Sequence, residues 1–418
     1  MRRFPQFHST LPTRTPLVAL LLFSTAGFCI LVRVRSFSFR HRYSGTTYKS
    51  VSLPMSATTT AASARKHSFQ WKTLGPDTFP SVVSSEDGCR YAKDDDYLNA
   101  VLDSWKEDTC GGISPQGVET SPLVYHDDDE TPLYGHVVRP TTTDTTASDS
   151  RPLRPGILLF HTAAGPQDVF LFQKAANLAS SELGCVVLIC DVVSDREGWS
   201  WTPHGDRTPF NEAKDALLRD NARLMRSRVK AAIEALVGGP RDGDDDGGVG
   251  GLGVDPMRLG SLGWCFGAHP ILELASLQHK QDTETAEAET GEDSVGVAFS
   301  APALVSYHGV YRRDDPSTHL PSGDASVSGI KNKVVTREVL VCTGKSDPFV
   351  APDDVEFAKK AMEGYSYSVQ IMEFDGAKHG FTNPAQDFNS NPAFQYNDYA
   401  AKESWDATLN LLKSKLAP

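Results

Sequence analysis

From about Ser121 onward, short apolar runs alternate with longer segments in which apolar residues recur every three or four positions. Short apolar runs bounded by turn residues are typical of buried strands, and the longer spacing is typical of helices packed on one side. Seven runs predict strands: PLYGHVVRP, PGILLFHTAAG, CVVLICDVV, RLGSLGW, ALVSYHG, EVLVCTG and YSVQIMEF. Because buried strands that alternate with helices form parallel sheets, we predict an α/β fold, with a mostly parallel central sheet and helices on both faces.

Helical spacing is found near residues 169–183 and 211–237, and again in HPILELASL, DVEFAKKAM and YAAKESWDATLNLLKSKL. We assign residues 121–418 to one domain on this basis. Two acidic low-complexity segments, near residues 238–251 and 279–295, predict disordered insertions within that domain.

Residues 66–120 form an N-terminal extension with few patterned features. The stretch DDDYLNAVLDSWKED predicts one amphipathic helix, with Tyr97, Val101 and Trp105 on the same face. The sequence gives this extension no function.

Residues 1–65 have the features of a targeting leader. Three arginines precede the apolar run LVALLLF, small residues follow it, and an Arg-, Ser- and Thr-rich stretch without acids comes next. This order resembles the bipartite leaders of algae with complex plastids, so we predict a plastid protein; mitochondrial import, secretion and a membrane anchor stay open. The apolar part, Leu17–Val32, is shorter than the roughly 20 residues that span a bilayer. We therefore expect no stable membrane association once the leader is removed.

The charge distribution argues against two classes of partner. Residues 1–76 contain 11 Lys or Arg and no Asp or Glu, so all 53 acidic residues lie in the remainder of the chain. An acidic body repels nucleic acid and anionic lipid. We expect a small-molecule substrate and no nucleic acid, and the oligomeric state stays open.

The seven cysteines are too few for a disulfide scaffold in a chain of 418 residues. Cys185, Cys190 and Cys342 lie in apolar, strand-like runs and are predicted core thiols. Cys89 and Cys110 could pair in an oxidising compartment.

The remaining candidate, Cys265, lies at the centre of Gly-Trp-Cys-Phe-Gly, between a predicted strand and a predicted helix. Small residues on both sides permit a sharp strand–turn–helix that lifts the side chain above the sheet, which is the geometry of a nucleophile elbow. The helix that follows would favour the thiolate. A packed core thiol and a redox-active cysteine are the alternative interpretations.

A thiol nucleophile needs a base and a group that orients the base. Asp347 follows the strand EVLVC and His379 follows YSVQIMEF, so the order Cys265, Asp347, His379 is the nucleophile–acid–base order of the α/β-hydrolase fold. The backbone N–H of Phe266, together with the turn around Thr162 and Ala163, would form the oxyanion hole.

The segments ILLFHTAAGP, LGWCFGAHP, TGKSDPFV and AKHGFTNP resemble the dienelactone hydrolase family (carboxymethylenebutenolidase-like proteins) over about residues 121–418. The resemblance implies the α/β-hydrolase fold, with Cys265 as nucleophile, His379 as base and Asp347 as its partner. It also implies hydrolysis of a small ester, lactone or thioester through an acyl-cysteine, with no cofactor and no metal.

Two positions depart from the well-studied lactonases of that family. The glutamate that contacts their resting cysteine is matched by Thr162, and the arginine that holds the substrate carboxylate is matched by Asn383. A dicarboxylate substrate is therefore not expected, unless Arg207, Arg219 or Arg223 compensates.

Further candidates for the pocket are His161, which ends a strand at the predicted site, and the aromatic residues Trp264 and Phe381. Cys265 and His269 have the spacing of a metal-ligating pair, but no second pair stands nearby in the sequence, so we expect no metal. Trp199 and Trp201 could also wall the pocket. The main rival to an enzyme is a non-catalytic ligand- or partner-binding protein that retains the hydrolase fold; a redox sensor ranks behind it.

Overall fold

The computed structural model describes eight ranges of the chain: 69–79, 95–107, 117–141, 152–194, 208–238, 252–283, 295–311 and 336–418. The predicted leader, the pair Cys89 and Cys110, the residues Trp199, Trp201 and Arg207, and most of the two acidic insertions lie outside these ranges.

In the described ranges, nine strands form one sheet in the order β1-β2-β3-β5-β4-β6-β7-β8-β9. Strands β3 to β9 coincide with the seven runs that predicted strands, and β1 and β2 precede them. Their bounds are β1 Lys72–Thr73, β2 Val118–His126, β3 Pro132–Pro140, β4 Arg154–Phe160, β5 Val186–Cys190, β6 Val254–Trp264, β7 Ala303–Tyr307, β8 Glu338–Gly344 and β9 Ser368–Phe374.

The sheet is mostly parallel, as predicted. Strands β5, β4, β6, β7, β8 and β9 pair in parallel, whereas β1, β2 and β3 form an antiparallel edge that joins β5. The parallel part matters for function, because all its strands end at the same edge of the sheet and bring the turns that follow them together.

Helices cover both faces of the sheet. They are α1 Asp95–Lys106, α2 Val169–Ser180, α3 Thr208–Gly238, α4 Ala268–Thr283, α5 Pro352–Gly364 and α6 Asp398–Leu416. Side chains along β4 alternate between two cores: Leu158 and Phe160 pack with α3, α4 and α5, and Ile157 and Leu159 pack with α1, α2 and α6. Each large apolar side chain buried in this way contributes roughly 1.5–3 kcal/mol to stability.

Most of the described part of the N-terminal extension belongs to the second of these cores, whereas Phe69 and Trp71 pack against the first. β1 pairs with β2 in antiparallel register, and α1 buries the apolar face predicted from the sequence, including Val101 and Trp105. The ring centroids of Phe79 lie 6.4 Å from Trp105 and 5.3 Å from Phe172 of α2. Helix α1 is thereby fixed against α2, beside the turn that follows β4.

Two helices differ in detail from their predictions. α3 is broken at Arg219–Ala222, where the backbone leaves helical geometry. α4 continues to Thr283, into the start of the segment predicted as a disordered insertion, because Gln281 donates a hydrogen bond to the Phe299 carbonyl at 2.9 Å and Asp282 pairs with Arg337. The three predicted core thiols are buried.

Within the described ranges, no helix combines the length and the apolar character needed to cross a bilayer.

Candidate active site

Cys265 lies on a sharp turn between a strand and a helix. β6 ends at Trp264, a 3₁₀ turn covers Cys265–Gly267, and α4 begins at Ala268. Cys265 has a φ of +56°, a left-handed conformation that is costly for any residue other than glycine. Its carbonyl oxygen accepts the backbone N–H of Val310 at 3.0 Å, which helps to hold the strained turn in place.

The two glycines around Cys265 allow the backbone of the turn to pack directly against itself and against the end of β4. A Cβ atom at Gly263 would lie 2.3 Å from the carbonyl oxygen of Gly267, and one at Gly267 would lie 2.6 Å from the carbonyl oxygen of Phe160. Larger residues would push the turn away from β4. The Gly-x-Cys-x-Gly pattern is therefore explained by sterics at the end of β6.

Asp347 and His379 follow β8 and β9, and the structure brings them together. Asp347 Oδ2 lies 2.8 Å from His379 Nδ1, and Asp347 Oδ1 accepts the Phe349 backbone N–H at 2.8 Å. The His379 backbone donates to Ala393 O at 3.1 Å and accepts from Gln395 N at 3.3 Å. Both side chains are buried, so the pair is held in one orientation.

The imidazole of His379 and the thiol of Cys265 line the same cleft, and each shifts the pKa of the other through charge and side-chain hydrogen bonding. Since Nδ1 faces Asp347, Nε2 is the nitrogen that faces the sulfur. Burial opposes the charge of His379, but the charge of Cys265 and the hydrogen bonds to Asp347 and Cys265 outweigh it and raise the pKa of His379 to about 10. Burial also opposes the thiolate, yet His379 and the Phe266 N–H lower the pKa of Cys265 below its ordinary value of 9.0. This electrostatic arrangement shifts the balance from a neutral thiol and imidazole toward a thiolate–imidazolium pair.

The loop after β4 forms the side of the site next to Cys265. Gly165 N–H donates to the Thr162 carbonyl at 3.2 Å, and Ala164 N–H donates to Thr162 Oγ1 at 3.0 Å. His161 Nδ1 lies 2.6 Å from Thr162 O, and its Nε2 accepts from Val192 N–H at 3.4 Å. Burial lowers the pKa of His161 to about 4, so this ring is neutral and ties the loop to the end of β5.

A cleft of about 510 Å³, including the space where it meets solvent, is lined by Thr162, Ala163, Cys265 and His379. The other lining residues are Tyr97, Ala164, Asp168, Phe170, Trp264, His308, Gly380, Thr382, Asn383, Gln386 and Phe394. None of the residues that line the cleft in the described ranges is a lysine or an arginine.

Comparison with known families bears on residues 295–416, which match the model of the dienelactone hydrolase family. The predicted resemblance to the dienelactone hydrolase family is confirmed. The matched segment contains Asp347 and His379, and Cys265 precedes it.

Two solved structures have the same fold. One is a protein called m3DLH, with 22% identity and a TM-score of 0.52 over 72% of this chain and 100% of that one. The other is a dienelactone hydrolase-like promiscuous phosphotriesterase, P91, from metagenomic libraries, with 22% identity and a TM-score of 0.51 over the same shares. At this identity the two likenesses show the fold alone, which is the predicted α/β-hydrolase fold. A comparison with curated proteins found no match.

Measured against dienelactone hydrolases, the two departures in the sequence lie at the cleft. Thr162 and Asn383 both line it, whereas the lactonases have a glutamate and an arginine at the matching positions. Arg219 and Arg223 are exposed and do not line the cleft, so neither supplies the missing cation. Within the described ranges, no lysine or arginine at the cleft takes the place of the arginine that holds the carboxylate in the lactonases.

Among the residues that line the cleft, three polar side chains form a hydrogen-bonded chain. Tyr97 of α1 donates to Asp168 at 3.1 Å, and Asn383 Nδ2 donates to the Tyr97 oxygen at 2.7 Å. Burial raises the pKa of Asp168 to about 6, although hydrogen bonds from Phe170 N–H and Tyr97 partly oppose it. We call Tyr97, Asp168, Asn383 and the adjacent Thr382 the polar wall, and Cys265, Asp347 and His379 the reactive wall.

His308 is a neighbour of the reactive wall that the sequence reasoning missed. Its ring centroid lies 4.6 Å from that of His379, and Phe349 and Phe394 contact His379 at 5.1 and 5.2 Å. Burial and the charge of His379 hold the pKa of His308 well below 6.5, so His308 is neutral. One signal in the sequence could have revealed it: His308 directly follows β7, whose carboxyl end lies beside that of β6.

Two residues predicted for the pocket lie behind it. His161 and Phe381 are fully buried and do not line the cleft. His161 is occupied by its contacts in the loop after β4, and Phe381 packs against Phe374 and His308 at centroid distances of 5.6 and 5.7 Å. Trp264, by contrast, lines the cleft as expected.

Three lining residues carry a buried polar atom with no hydrogen-bond partner in the structure: Trp264 Nε1, His308 Nδ1 and Thr382 Oγ1. Buried polar atoms are normally paired. Their concentration around one cleft indicates a site shaped for a polar ligand. Across the described ranges, no group of three or more His, Cys, Asp or Glu side chains is arranged to hold a metal ion.

Proposed function

We propose that this protein is a cysteine-dependent hydrolase that cleaves a small ester, lactone or thioester through an acyl-cysteine intermediate. One observation carries the proposal: His379 is hydrogen-bonded to Asp347 and lines the same cleft as Cys265, at the edge of the sheet where an α/β-hydrolase has its site. The family match over residues 295–416 supports the same class of reaction.

Acylation begins with attack of the Cys265 sulfur on the carbonyl carbon. The C=O π pair moves onto oxygen, and the resulting oxyanion is stabilised by the N–H of Phe266 and an N–H of the Thr162–Ala163 turn. When the tetrahedral intermediate collapses, the bond to the leaving oxygen or sulfur breaks. His379 gives its Nε2 proton to that leaving group; in a lactone, the leaving group stays attached to the acyl chain.

Deacylation reverses the role of His379. In the acyl-enzyme the sulfur carries no charge, so the neutral imidazole can take a proton from water, which attacks the acyl carbon. Collapse expels the Cys265 thiolate and releases the acid, and the imidazolium is restored beside the thiolate. Asp347 keeps Nδ1 protonated throughout and so fixes the tautomer that presents Nε2 to the sulfur.

The test is the release of p-nitrophenol from p-nitrophenyl acetate by the purified protein on the millisecond to second scale. We expect a burst equal to the enzyme concentration, followed by slower turnover. Cys265→Ala and His379→Ala should lack the burst, while His279→Ala, at a half-buried histidine of α4 that does not line the cleft, should retain it. If the wild type gives no burst, or if Cys265→Ala gives the same burst, the protein is not a cysteine hydrolase and the binding-protein hypothesis replaces it.

A further inference from the structure

The polar wall is assembled from three separate parts of the chain. Tyr97 belongs to α1 in the N-terminal extension, Asp168 precedes α2, and Asn383 follows the loop that carries His379. All three are nine-tenths or more buried, yet all three line the cleft. Thus the extension contributes directly to the surface that a substrate meets.

The hydrogen bonds of this wall orient its members and leave one acceptor with spare capacity. Asn383 Oδ1 accepts from Ala385 N–H at 3.0 Å, and Asp168 Oδ1 accepts from Phe170 N–H at 3.1 Å. Within the described ranges, Asp168 Oδ2 receives only the Tyr97 hydroxyl, which it shares with Oδ1. A carboxylate oxygen has two lone pairs, so Oδ2 can accept a further hydrogen bond from a molecule in the cleft.

Burial raises the pKa of Asp168 to about 6, which still leaves its carboxylate mostly ionised at neutral pH. Asp168 is the N-cap residue of α2, where the helix dipole stabilises a negative charge. No lysine or arginine lines the cleft within the described ranges, so neither of these side-chain types neutralises the Asp168 charge there. A carboxylate on the ligand would be repelled there, whereas a hydrogen-bond donor would be attracted.

Two residues that line the cleft together with Asp168 carry buried polar atoms without a hydrogen-bond partner in the described ranges, and these atoms limit which donor group suits the cleft. Trp264 Nε1 can only donate, and Thr382 Oγ1 can donate or accept. An ammonium group could satisfy Asp168 but could not accept from Trp264. A hydroxyl group does both, since it donates one hydrogen bond and accepts two.

We propose that the polar wall is a substrate-recognition subsite that binds a neutral hydroxyl group on the acyl part of the substrate and rejects a carboxylate. This inference rests on the proposed hydrolase function and adds the substrate class: hydroxylated, uncharged lactones and esters. Asp168 accepts from the substrate hydroxyl, and Tyr97 and Asn383 hold Asp168 in position. The N-terminal extension is then part of the specificity of the enzyme.

The test uses γ-butyrolactones that carry hydrogen, hydroxyl or carboxylate at the same ring carbon, at either the α or the β position, and measures kcat/KM for each. We expect the wild type to prefer one of the hydroxylated lactones over the unsubstituted ring by about tenfold or more, the usual worth of a hydrogen bond to a charged group. The carboxylated rings should be hydrolysed more slowly than the unsubstituted ring.

Two variants assign the preference to the polar wall. Asp168→Asn removes the charge but keeps an N-cap that is equally good for α2, so the fold should persist. It should remove most of the hydroxyl preference and raise the relative rate on the carboxylated rings. Tyr97→Phe should weaken the preference for hydroxylated rings without changing the relative rate on the carboxylated rings. If Asp168→Asn does not fold, Tyr97→Phe is the variant that tests the proposal. The matched controls are Asp103→Asn and Tyr399→Phe, at exposed positions outside the cleft, and both should preserve the wild-type ratios.

Calorimetric titration of the same lactones into Cys265→Ala, with and without Asp168→Asn, separates this inference from the proposed function. A hydroxyl preference in binding that Asp168→Asn removes supports the subsite even if the wild type gives no burst with p-nitrophenyl acetate. A normal burst with equal rates on hydroxylated and unsubstituted rings, or with a preference for the carboxylated rings, overturns the subsite and leaves the hydrolase intact. Absence of any hydroxyl preference in both binding and turnover also overturns it.

Discussion

The two walls of the cleft are built in different ways. The reactive wall comes from turns that directly follow β6, β8 and β9, three parallel strands whose carboxyl ends meet at one edge of the sheet. The polar wall depends on a helix from the N-terminal extension, the N-cap of α2 and a loop more than 200 residues farther along the chain. The sheet therefore fixes the geometry of the reactive wall, whereas the polar wall can change when the extension or its packing changes. We therefore expect a change in the extension to alter which substrates bind while the reaction at Cys265 stays the same.

The largest loss of kcat is expected when the carboxylate of Asp347 is removed from the reactive wall. In Asp347→Asn the Asn oxygen can still accept from Phe349 N–H, but the amide N–H₂ then faces His379 Nδ1. The imidazole is forced into the tautomer that cannot take a proton at Nε2, and kcat for p-nitrophenyl acetate should fall on the order of 10³-fold. Asp375→Asn, at an exposed aspartate just after β9, is the control. A loss of less than about tenfold in Asp347→Asn would show that Asp347 does not orient His379.

A smaller loss of kcat should follow when a methyl group is added at Gly263, two residues before Cys265. Gly263→Ala puts a Cβ 2.3 Å from the Gly267 carbonyl oxygen, so the turn at Cys265 must shift. Displacement of a reacting group by about 1 Å costs on the order of 10²-fold in rate. We expect kcat to fall by that amount while the protein stays folded by circular dichroism. Gly238→Ala, where a Cβ meets nothing within 4 Å, should behave as the wild type, and an unchanged kcat in Gly263→Ala would contradict the sterically fixed turn.

The charge coupling within the reactive wall can be measured by alkylation with iodoacetamide, which reacts with the thiolate. Because His379 lowers the pKa of Cys265 below 9.0, alkylation of Cys265 should stay fast as the pH falls below that value. In His379→Ala the effect of burial is no longer opposed by the imidazolium, so the profile should move to higher pH. The rate at pH 7 should then drop about tenfold for each pKa unit of the shift.

Peptide-resolved mass spectrometry distinguishes Cys265 from the buried thiols in this experiment, and His279→Ala serves as the matched control. Superimposable pH profiles for the wild type and His379→Ala would show that His379 does not lower the pKa of Cys265.

The smallest effect concerns the stability of the polar wall. Asp168 has a pKa of about 6 in the folded protein against an ordinary value of 3.8, so the folded state binds more protons between these values and stability falls as the pH rises through them. Asn cannot ionise. Relative to the wild type, the unfolding free energy of Asp168→Asn should therefore gain about 1 kcal/mol between pH 5 and pH 7, as measured by urea denaturation. A difference that does not change with pH would mean that Asp168 titrates normally in the folded protein.

The sequence was sufficient to predict the reactive wall and the strands that position it. Each of its residues follows an apolar run that predicts a strand, and the glycines around Cys265 indicate a turn too tight for side chains. Local pattern and local geometry agree at these positions, so the order along the chain was enough to predict that Cys265, Asp347 and His379 meet.

The polar wall could not be predicted, because its contacts join residues far apart in the sequence. Tyr97 was expected only as part of an apolar helix face, and nothing in its neighbourhood indicates that its hydroxyl reaches Asp168, 71 positions away. Asp168 reads as an ordinary helix cap, which it also is. His161 and Phe381 were expected in the pocket because they flank its loops, but tertiary packing turns both rings inward. Strand ends fix where the backbone goes, whereas the direction of each side chain depends on the packing around it.

The most direct test of the central claim is to trap the acyl-enzyme. The protein is mixed with p-nitrophenyl acetate, quenched in acid within the burst phase and digested, and the peptides are weighed. We predict one acetyl group per chain on the peptide that contains Cys265, and none on that peptide in His379→Ala. Full p-nitrophenol release with Cys265 unmodified, or with the acetyl group on another residue, would contradict it.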